Sequence, residues 1–268
     1  MPLVNLVSRY RSLSVTGDDA THFLHAQLTC DLAGLAPGEG CYGALLNPKG
    51  KVQAAGYVLP IDGGHQFLIH PEVAEATEQH LARYVLRAKV VLNLEDLPIA
   101  GEVPGDDAAG GEVSTGGYDH LPADGAQAFH LPDGRVLQPG ETGNADANAW
   151  WTRDVLAGLV HVDAGIRDRF IPQMLGLDSL GAVSFSKGCY PGQEIVARAR
   201  HLGRVKRGLA WLEGDLAFSE GQTLTGENDE RLGEVIQTIS AGPRHLALAV
   251  VQRDAATPRE AIALSTFA

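Results

Sequence analysis

The sequence predicts an α+β protein that ends in a small β-barrel, and three patterns carry that reading. Near the N-terminus Ala20, Leu24, Leu28 and Leu32 recur every fourth residue, with Phe23 beside them, as an apolar helix face does. Residues 42–46 and 52–59 are apolar runs joined by Asn47-Pro48-Lys49-Gly50, the signature of a hairpin. From residue 209 onward short strand-like runs alternate with turns such as Gly214-Asp215 and Gly242-Pro243, a spacing that suits a closed barrel better than an open sheet. A hydrophobic share of 44% with 20% charged residues is ordinary for a globular chain, which excludes global disorder, collagen-like repeats and coiled coil. No run reaches the roughly 18–20 apolar residues of a membrane span.

The elements follow in order. Asp18 is a plausible cap for the first helix, and the glycines and proline of residues 34–40 break it. After the hairpin, residues 66–69 read as a strand, and a helix runs from Pro71 to about Arg87, with Pro71 well suited to a first helical position. Residues 90–94 read as a strand. Residues 149–159 read as a helix, 170–180 as a loop with a short helical turn, and a last helix runs to about His201. Strands are expected at 209–212, 232–239, 246–252 and 261–267.

Two stretches differ in charge. Over residues 95–146 acids outnumber bases eleven to one, and ten glycines fall between Gly101 and Gly143. This segment, bounded at 96–148, is expected to be an acidic insert or a peripheral subdomain without chemistry of its own. The net charge of the chain is −12, which argues against a general nucleic-acid coat and against direct DNA binding. Yet residues 187–207 hold Lys187, Arg198, Arg200, Arg204, Lys206 and Arg207 against the single acid Glu194. A cationic site on an acidic body points to a small anionic ligand.

That same window contains Lys187-Gly188-Cys189-Tyr190-Pro191-Gly192-Gln193-Glu194. Pro191 opens a helix, so Cys189 sits just ahead of a helix N-terminus, where free N–H groups and the dipole favour an anion. Lys187 adds positive charge two residues away, and both features favour the thiolate form. Glu194, in the first turn, could cap N–H groups or act as an acid or base. Cys30, assigned to the first helix, and Cys41, at a strand start, read as packing residues. The odd cysteine count, with no CxxC pair, argues against a disulfide framework or zinc ribbon. The polar and basic residues Asn5, Ser8, Arg9 and Arg11 do not suit a signal peptide. A reducing, cytoplasmic location is expected. The histidines, His161 among them, show no metal-ligand spacing, so no metal site is expected and they are read as surface or packing residues.

The octapeptide, continued by Ile195-Val196-Ala197-Arg198, resembles the signature of the YgfZ family, folate-binding proteins of the aminomethyltransferase (glycine-cleavage T-protein) superfamily. The resemblance extends to Phe170-Ile171-Pro172-Gln173, to Val15-Thr16-Gly17-Asp18-Asp19-Ala20, and to Leu46-Asn47-Pro48-Lys49-Gly50. It implies two interwoven mixed α/β domains of the folate-binding type, formed by residues 1–95 and 149–205, with the barrel at 206–268. It also implies a tetrahydrofolate-binding protein, or one taking a one-carbon derivative, that assists iron–sulfur cluster assembly or repair. A link to tRNA thiomodification follows from it, with iron–sulfur proteins or cluster-assembly factors as partners and no membrane. The chain is expected to be a monomer. By the same resemblance Cys189 is the key residue, with Lys187 and Glu194 beside it. Family tryptophans that contact folate align with Tyr10 and Trp150. Asn47, Lys49, Gln193, Arg198 and Asp163 complete the expected folate site, and Arg83 and Arg87, one turn apart on the 71–87 helix, are further candidates for an anionic glutamate tail.

The chain also departs from the superfamily. The position of a catalytic Asp in the aminomethyltransferases is Ala54 here, and the acid before an Ala-Gly pair is Leu156. Both losses weaken aminomethyl transfer, because a carboxylate suits the adjacent N–H donors of a pterin edge. Classical turnover is therefore not expected. The alternatives are a folate-dependent aminomethyl- or methyltransferase, and a non-catalytic adaptor regulated by folate.

Overall fold

The computed structural model describes residues 3–104, 116–124, 127–201, 205–241, 244–258, 261 and 263–266. The chain opens with strands β1 (Val4–Asn5) and β2 (Arg11–Thr16), then helix α1 (Ala20–Gln27). Strands β3 (Cys41–Leu46), β4 (Val52–Ile61) and β5 (Gly64–Ile69) precede helix α2 (Pro71–Ala82). Strands β6 (Val91–Glu95), β7 (Ile99–Glu102), β8 (Phe129–His130) and β9 (Val136–Pro139) lead to helix α3 (Asn148–Ala157). A 3₁₀ turn at Pro172–Met174 comes before helix α4 (Gln193–His201). Strands β10 (Arg207–Gly214), β11 (Thr223–Thr225), β12 (Arg231–Ala241), β13 (Arg244–Gln252) and β14 (Ala263–Thr266) follow.

The strands form three antiparallel sheets: β3-β4-β5-β2-β6, β1-β7-β9-β8, and β11-β12-β13-β10-β14. The first is covered on both faces, so every residue of β3 is buried rather than every second one. One face packs on α1 and α2 through Leu13, Val15, Phe23, Leu24, Val58, Phe67 and Val73. The other face contributes Tyr42, Leu46, Tyr57 and Leu68 to a larger core shared with Trp150 of α3, the β7–β9 sheet and the β12–β13 strands. Along β13 the faces alternate strictly. Leu246, Leu248 and Val250 enter that larger core, whereas Ala247, Ala249 and Val251 enter a separate C-terminal one.

Several sequence expectations are corrected. The C-terminal strands form a five-stranded sheet with β11 and β14 at its edges, and no ladder closes it into a barrel among the described residues. Helix α1 stops at Gln27, because Leu28 bridges to Leu45 and Thr29 bonds to Ala44 as extended chain. Cys30 consequently lies beyond the helix, in the extended stretch. Asp19, not Asp18, is the cap position, and Asp18 instead pairs with Lys89 at 2.9 Å. Helix α2 ends at Ala82, so Arg83 and Arg87 do not share a helix face. Arg204, part of the cationic window, lies outside the described residues, as do Gly242, Pro243 and Phe267.

Candidate functional site

Two groups of residues stand out, and both touch the larger core. The first is a buried polar centre built around α3. Asp154 is fully buried and bonds on one oxygen to the Arg135 guanidinium at 2.6 Å, on the other to His161 Nε2 at 2.9 Å. Arg135, also fully buried, donates to Asp133 at 2.8 Å and to the Trp150 carbonyl at 3.0 Å, and its guanidinium lies 4.5 Å from the Trp150 ring centre. Burial pushes the Asp154 carboxyl up, but Arg135 and His161 more than offset it, so its pKa stays below the ordinary carboxylate value. Burial likewise disfavours the Arg135 cation, and Asp154 reverses that.

Tyr10 packs into the same centre. Its ring centre lies 5.4 Å from His161, 5.8 Å from Tyr57 and 6.0 Å from Trp151. Arg9 lies over the outer face of Trp151, 5.4 Å from its centroid. Burial raises the phenol pKa of Tyr10, Tyr42 and Tyr57. Thus Tyr10 and Trp150, far apart in sequence, are joined through His161, Asp154 and Arg135. Around this centre Trp150 Nε1 has no partner among the described residues, while Tyr118 bears on Arg135 and Tyr57 on Tyr10 without a well-formed hydrogen bond. Buried polar groups are ordinarily hydrogen-bonded, so the unmet Trp150 Nε1 marks this centre as a candidate place for a polar ligand or water.

Sequence reasoning missed Arg135 and His161. Arg135 belongs to the segment given no chemistry, and His161 was read as surface or packing. A signal existed: Arg135 is the single base among the eleven acids of residues 95–146.

The second group is the Cys189 loop. Cys189 is exposed, whereas its neighbour Tyr190 is buried in the larger core, where burial pushes the phenol up to about 12. Gly192 has φ +78°, and a Cβ there would meet the Asn47 carbonyl oxygen at 2.6 Å and Gly50 Cα at 2.8 Å. The start of α4 therefore rests directly on the Asn47–Gly50 turn, and only glycine fits both the dihedral and the gap. Asn47 holds that turn: its Oδ1 accepts from the N–H of Lys49 and of Lys51, and its Nδ2 donates to Asp168 at 2.6 Å. Lys49 is exposed beside it.

The other expected site residues are placed as follows. Lys187 is buried, and its ammonium donates to the carbonyls of His25, Leu28 (2.6 Å) and Cys30 (3.0 Å), closing the end of α1. It also lies 5.2 Å from the Tyr190 ring centre, and burial holds its pKa below the ordinary lysine value. Its charge is thus engaged by backbone, not presented to solvent. Glu194 pairs with Arg198 at 2.9 Å on the outer face of α4, both exposed. Gln193 is half-buried at the first position of α4. Asp163 caps the turn after α3 by accepting from Ile166 N at 2.9 Å. Ala54 points to the helix-covered face of its sheet, away from the core that holds Trp150. Among the described residues no group of three His, Cys, Asp or Glu could hold a metal ion, and no helix is long and apolar enough to cross a membrane.

Comparison with known proteins then places the chain. No family model matches it. The tRNA-modifying protein YgfZ of Sodalis glossinidius is 30% identical over 254 residues, covering 84% of this chain and 76% of that protein. The chain belongs to the YgfZ family. The protein of the same name from Hamiltonella defensa is 27% identical over 236 residues, covering 79% of this chain and 70% of that one. Among solved structures, aminomethyltransferase T of the glycine cleavage system from Bartonella henselae superposes with a TM-score of 0.64 over 93% of this chain and 78% of that one, at 16% identity. The YgfZ family chain thus shares the aminomethyltransferase fold without close sequence likeness.

Proposed function

We propose that this YgfZ family member binds tetrahydrofolate or a one-carbon derivative and assists the assembly or repair of iron–sulfur clusters. Through a cluster-carrying enzyme that activity serves tRNA thiomodification. The tRNA-modifying name of its relatives and the aminomethyltransferase fold support the reading. The observation that carries it is the pairing of the two groups above: an exposed thiol whose neighbour Tyr190 enters the same core as Tyr10 and Trp150. The three free cysteines suit a reducing cytoplasm.

The residues fit a folate. Trp150 Nε1 is an unpartnered donor, and Arg135, Tyr57 and Tyr118 can add polar contacts by releasing one another, which suits the ring nitrogens and carbonyl of a pterin. Tyr10, Trp150 and Trp151 supply aromatic faces for stacking. Both oxygens of Asp154 are engaged, so Asp154 acts by orienting Arg135 and His161 rather than by reading the pterin. When bound, the folate would supply one-carbon or reducing chemistry. The chain's own contributions are the aromatic and guanidinium cradle and the accessible Cys189 Sγ. Ala54 and Leu156 leave no carboxylate at either place where aminomethyl transfer needs one, and both oxygens of Asp154 are engaged, which favours the assembly role over the transferase alternative.

The test is titration with tetrahydrofolate and its methylene form, followed by tryptophan fluorescence. Saturable quenching that is reduced in Trp150→Phe is expected, and no saturable signal with either folate overturns the binding reading. Full rescue of iron–sulfur enzyme activities in a deletion strain by Cys189→Ser would discard the role of the thiol.

A further inference from the structure

On the C-terminal sheet a cationic groove runs across the end of three neighbouring strands. Register places Arg207 of β10 opposite Gln252 of β13, and Gln252 Nε2 donates to the Arg231 carbonyl of β12 at 2.8 Å. An open groove of about 760 Å³ is lined by Lys206, Arg207, Gln252 and Arg253, with Asp254 at its edge. It continues past Arg207 and Gln252 into a recess of about 150 Å³ that Arg169 and Arg231 reach. There both arginines converge on one carboxylate: Glu234 accepts from Arg169 at 2.6 Å and from Arg231 at 3.0 Å. Arg169 is further fixed by its bond to the Gly165 carbonyl at 2.8 Å and by the Phe170 ring, 4.9 Å away. Among the described residues no carboxylate pairs with Lys206, Arg207 or Arg253, and all three are exposed.

We propose that this groove binds the phosphodiester backbone of RNA. Five cations face two carboxylates on a chain whose net charge is −12, so the groove is a local positive minority on an acidic body. Such an arrangement admits a polyanion in one place and repels it elsewhere. One phosphate or carboxylate is satisfied by one or two cations. Five, spread across the ends of three neighbouring strands and the segments beside them, match a chain of anions instead. Four of the five are arginines, whose planar fork suits phosphate oxygens. Arg207 and Arg231 stand on strand ladder, and the Arg253 N–H donates to the Lys206 carbonyl at 3.0 Å, so the array is set before the ligand arrives. The choice of RNA over an acidic polypeptide rests on the tRNA-linked function proposed above. The groove would position the RNA, and it contains no group that reads base edges, so binding is expected to be sequence-tolerant.

The test uses the full chain, a fluorescein-labelled unmodified tRNA transcript and anisotropy at 50–200 mM salt, with no folate or cluster present. Dissociation constants on the order of 10 µM at the low-salt end are expected, weakening steeply as salt rises. Lys206→Gln/Arg207→Gln/Arg253→Gln should weaken binding about tenfold or more and flatten the log–log salt slope by about two to three. Lys89→Gln, in the segment before β6, should leave both unchanged. Absence of binding by the wild type overturns the proposal, as does unchanged binding by the triple variant. Displacement of the RNA by poly-glutamate at equal charge would overturn RNA as the occupant. A folate titration run in parallel separates the two readings: retained folate binding with lost RNA binding in the triple variant supports the groove, and a wild type that binds RNA through the groove but binds no folate overturns only the folate reading.

Discussion

The buried centre around Asp154 and the loop that carries Cys189 lie against one core and are built on opposite terms. In the centre every charge is out of water and has a protein partner: Arg135 with Asp133 and Asp154, Asp154 with His161. At the loop the one reactive side chain is in solvent, and the charge nearest it in sequence, Lys187, is turned inward onto three carbonyls. The contrast shows where rigidity and where chemistry reside. Charges that shape the fold are neutralised internally, and the thiol stands on a frame whose polar requirements are already met elsewhere.

The largest effect expected from breaking that contrast is at the centre. Removing one member of a buried ion pair strands the other, which costs about 3–5 kcal/mol. Asp154→Ala and Arg135→Ala should each lose stability on that scale in urea unfolding. Arg135→Ala strands two carboxylates, Asp133 and Asp154, whereas Arg135→Met/Asp154→Leu strands only Asp133, so the double variant should be more stable than Arg135→Ala. A double variant no better than Arg135→Ala would show that the pair is not what holds the centre. Acid gives an independent check. Because the folded pKa of Asp154 lies below its unfolded value of about 3.9, its contribution is complete above that pH. It is lost as pH falls through the folded pKa. The stability gap between wild type and Asp154→Asn should therefore narrow below about pH 4.

A middle-sized effect belongs to Lys187, which faces both regions. Lys187→Met keeps the stem and removes the donor, leaving the carbonyls of His25, Leu28 and Cys30 short of a partner. An orphaned buried acceptor costs about 1–3 kcal/mol. The same variant should speed the reaction of buried Cys30 with a thiol-reactive dye, because the segment after α1 loses its tether. If Lys187→Met keeps wild-type stability and Cys30 stays protected, the lysine is free for a role beside Cys189 after all.

These energetics also explain which features could be read from the chain. The hairpin at Asn47–Gly50 and the α4 start were legible because local residues dictate them: an asparagine that bonds its own turn, and glycines at positive φ. The end of α1 was not legible. Leu28 and Leu32 continue the helical period, but pairing with β3 and a lysine 159 residues away from Leu28 override it. The Arg135–Asp154–His161 network was hidden for the same reason, since its members are 19 and 7 residues apart and meet only through tertiary packing. Barrel closure, which no ladder among the described residues makes, was not legible because strand length and turn spacing specify hairpins, while closure depends on whether the two edge strands meet. The joint between Gly192 and the Asn47–Gly50 turn leaves no periodic trace, although both glycines were visible as turn residues.

The smallest expected effect is the most informative about function. Cys189 is exposed, and Cys189→Ser exchanges one small polar group for another without opening a cavity or stranding a partner. Its effect on stability should stay within about 0.5 kcal/mol, the usual span for surface sites. In the folded wild type a thiol-reactive dye should label one cysteine rapidly, and in Cys189→Ser none, since Cys30 and Cys41 are buried. The two variants Cys189→Ser and Lys187→Met then separate cleanly. The first removes the accessible thiol and leaves the fold intact; the second weakens the fold and leaves that thiol in place. A Cys189→Ser protein that unfolds as early as Lys187→Met would mean that the loop, too, is held together by its cysteine, and the division between a frame and an exposed reactive group would fail.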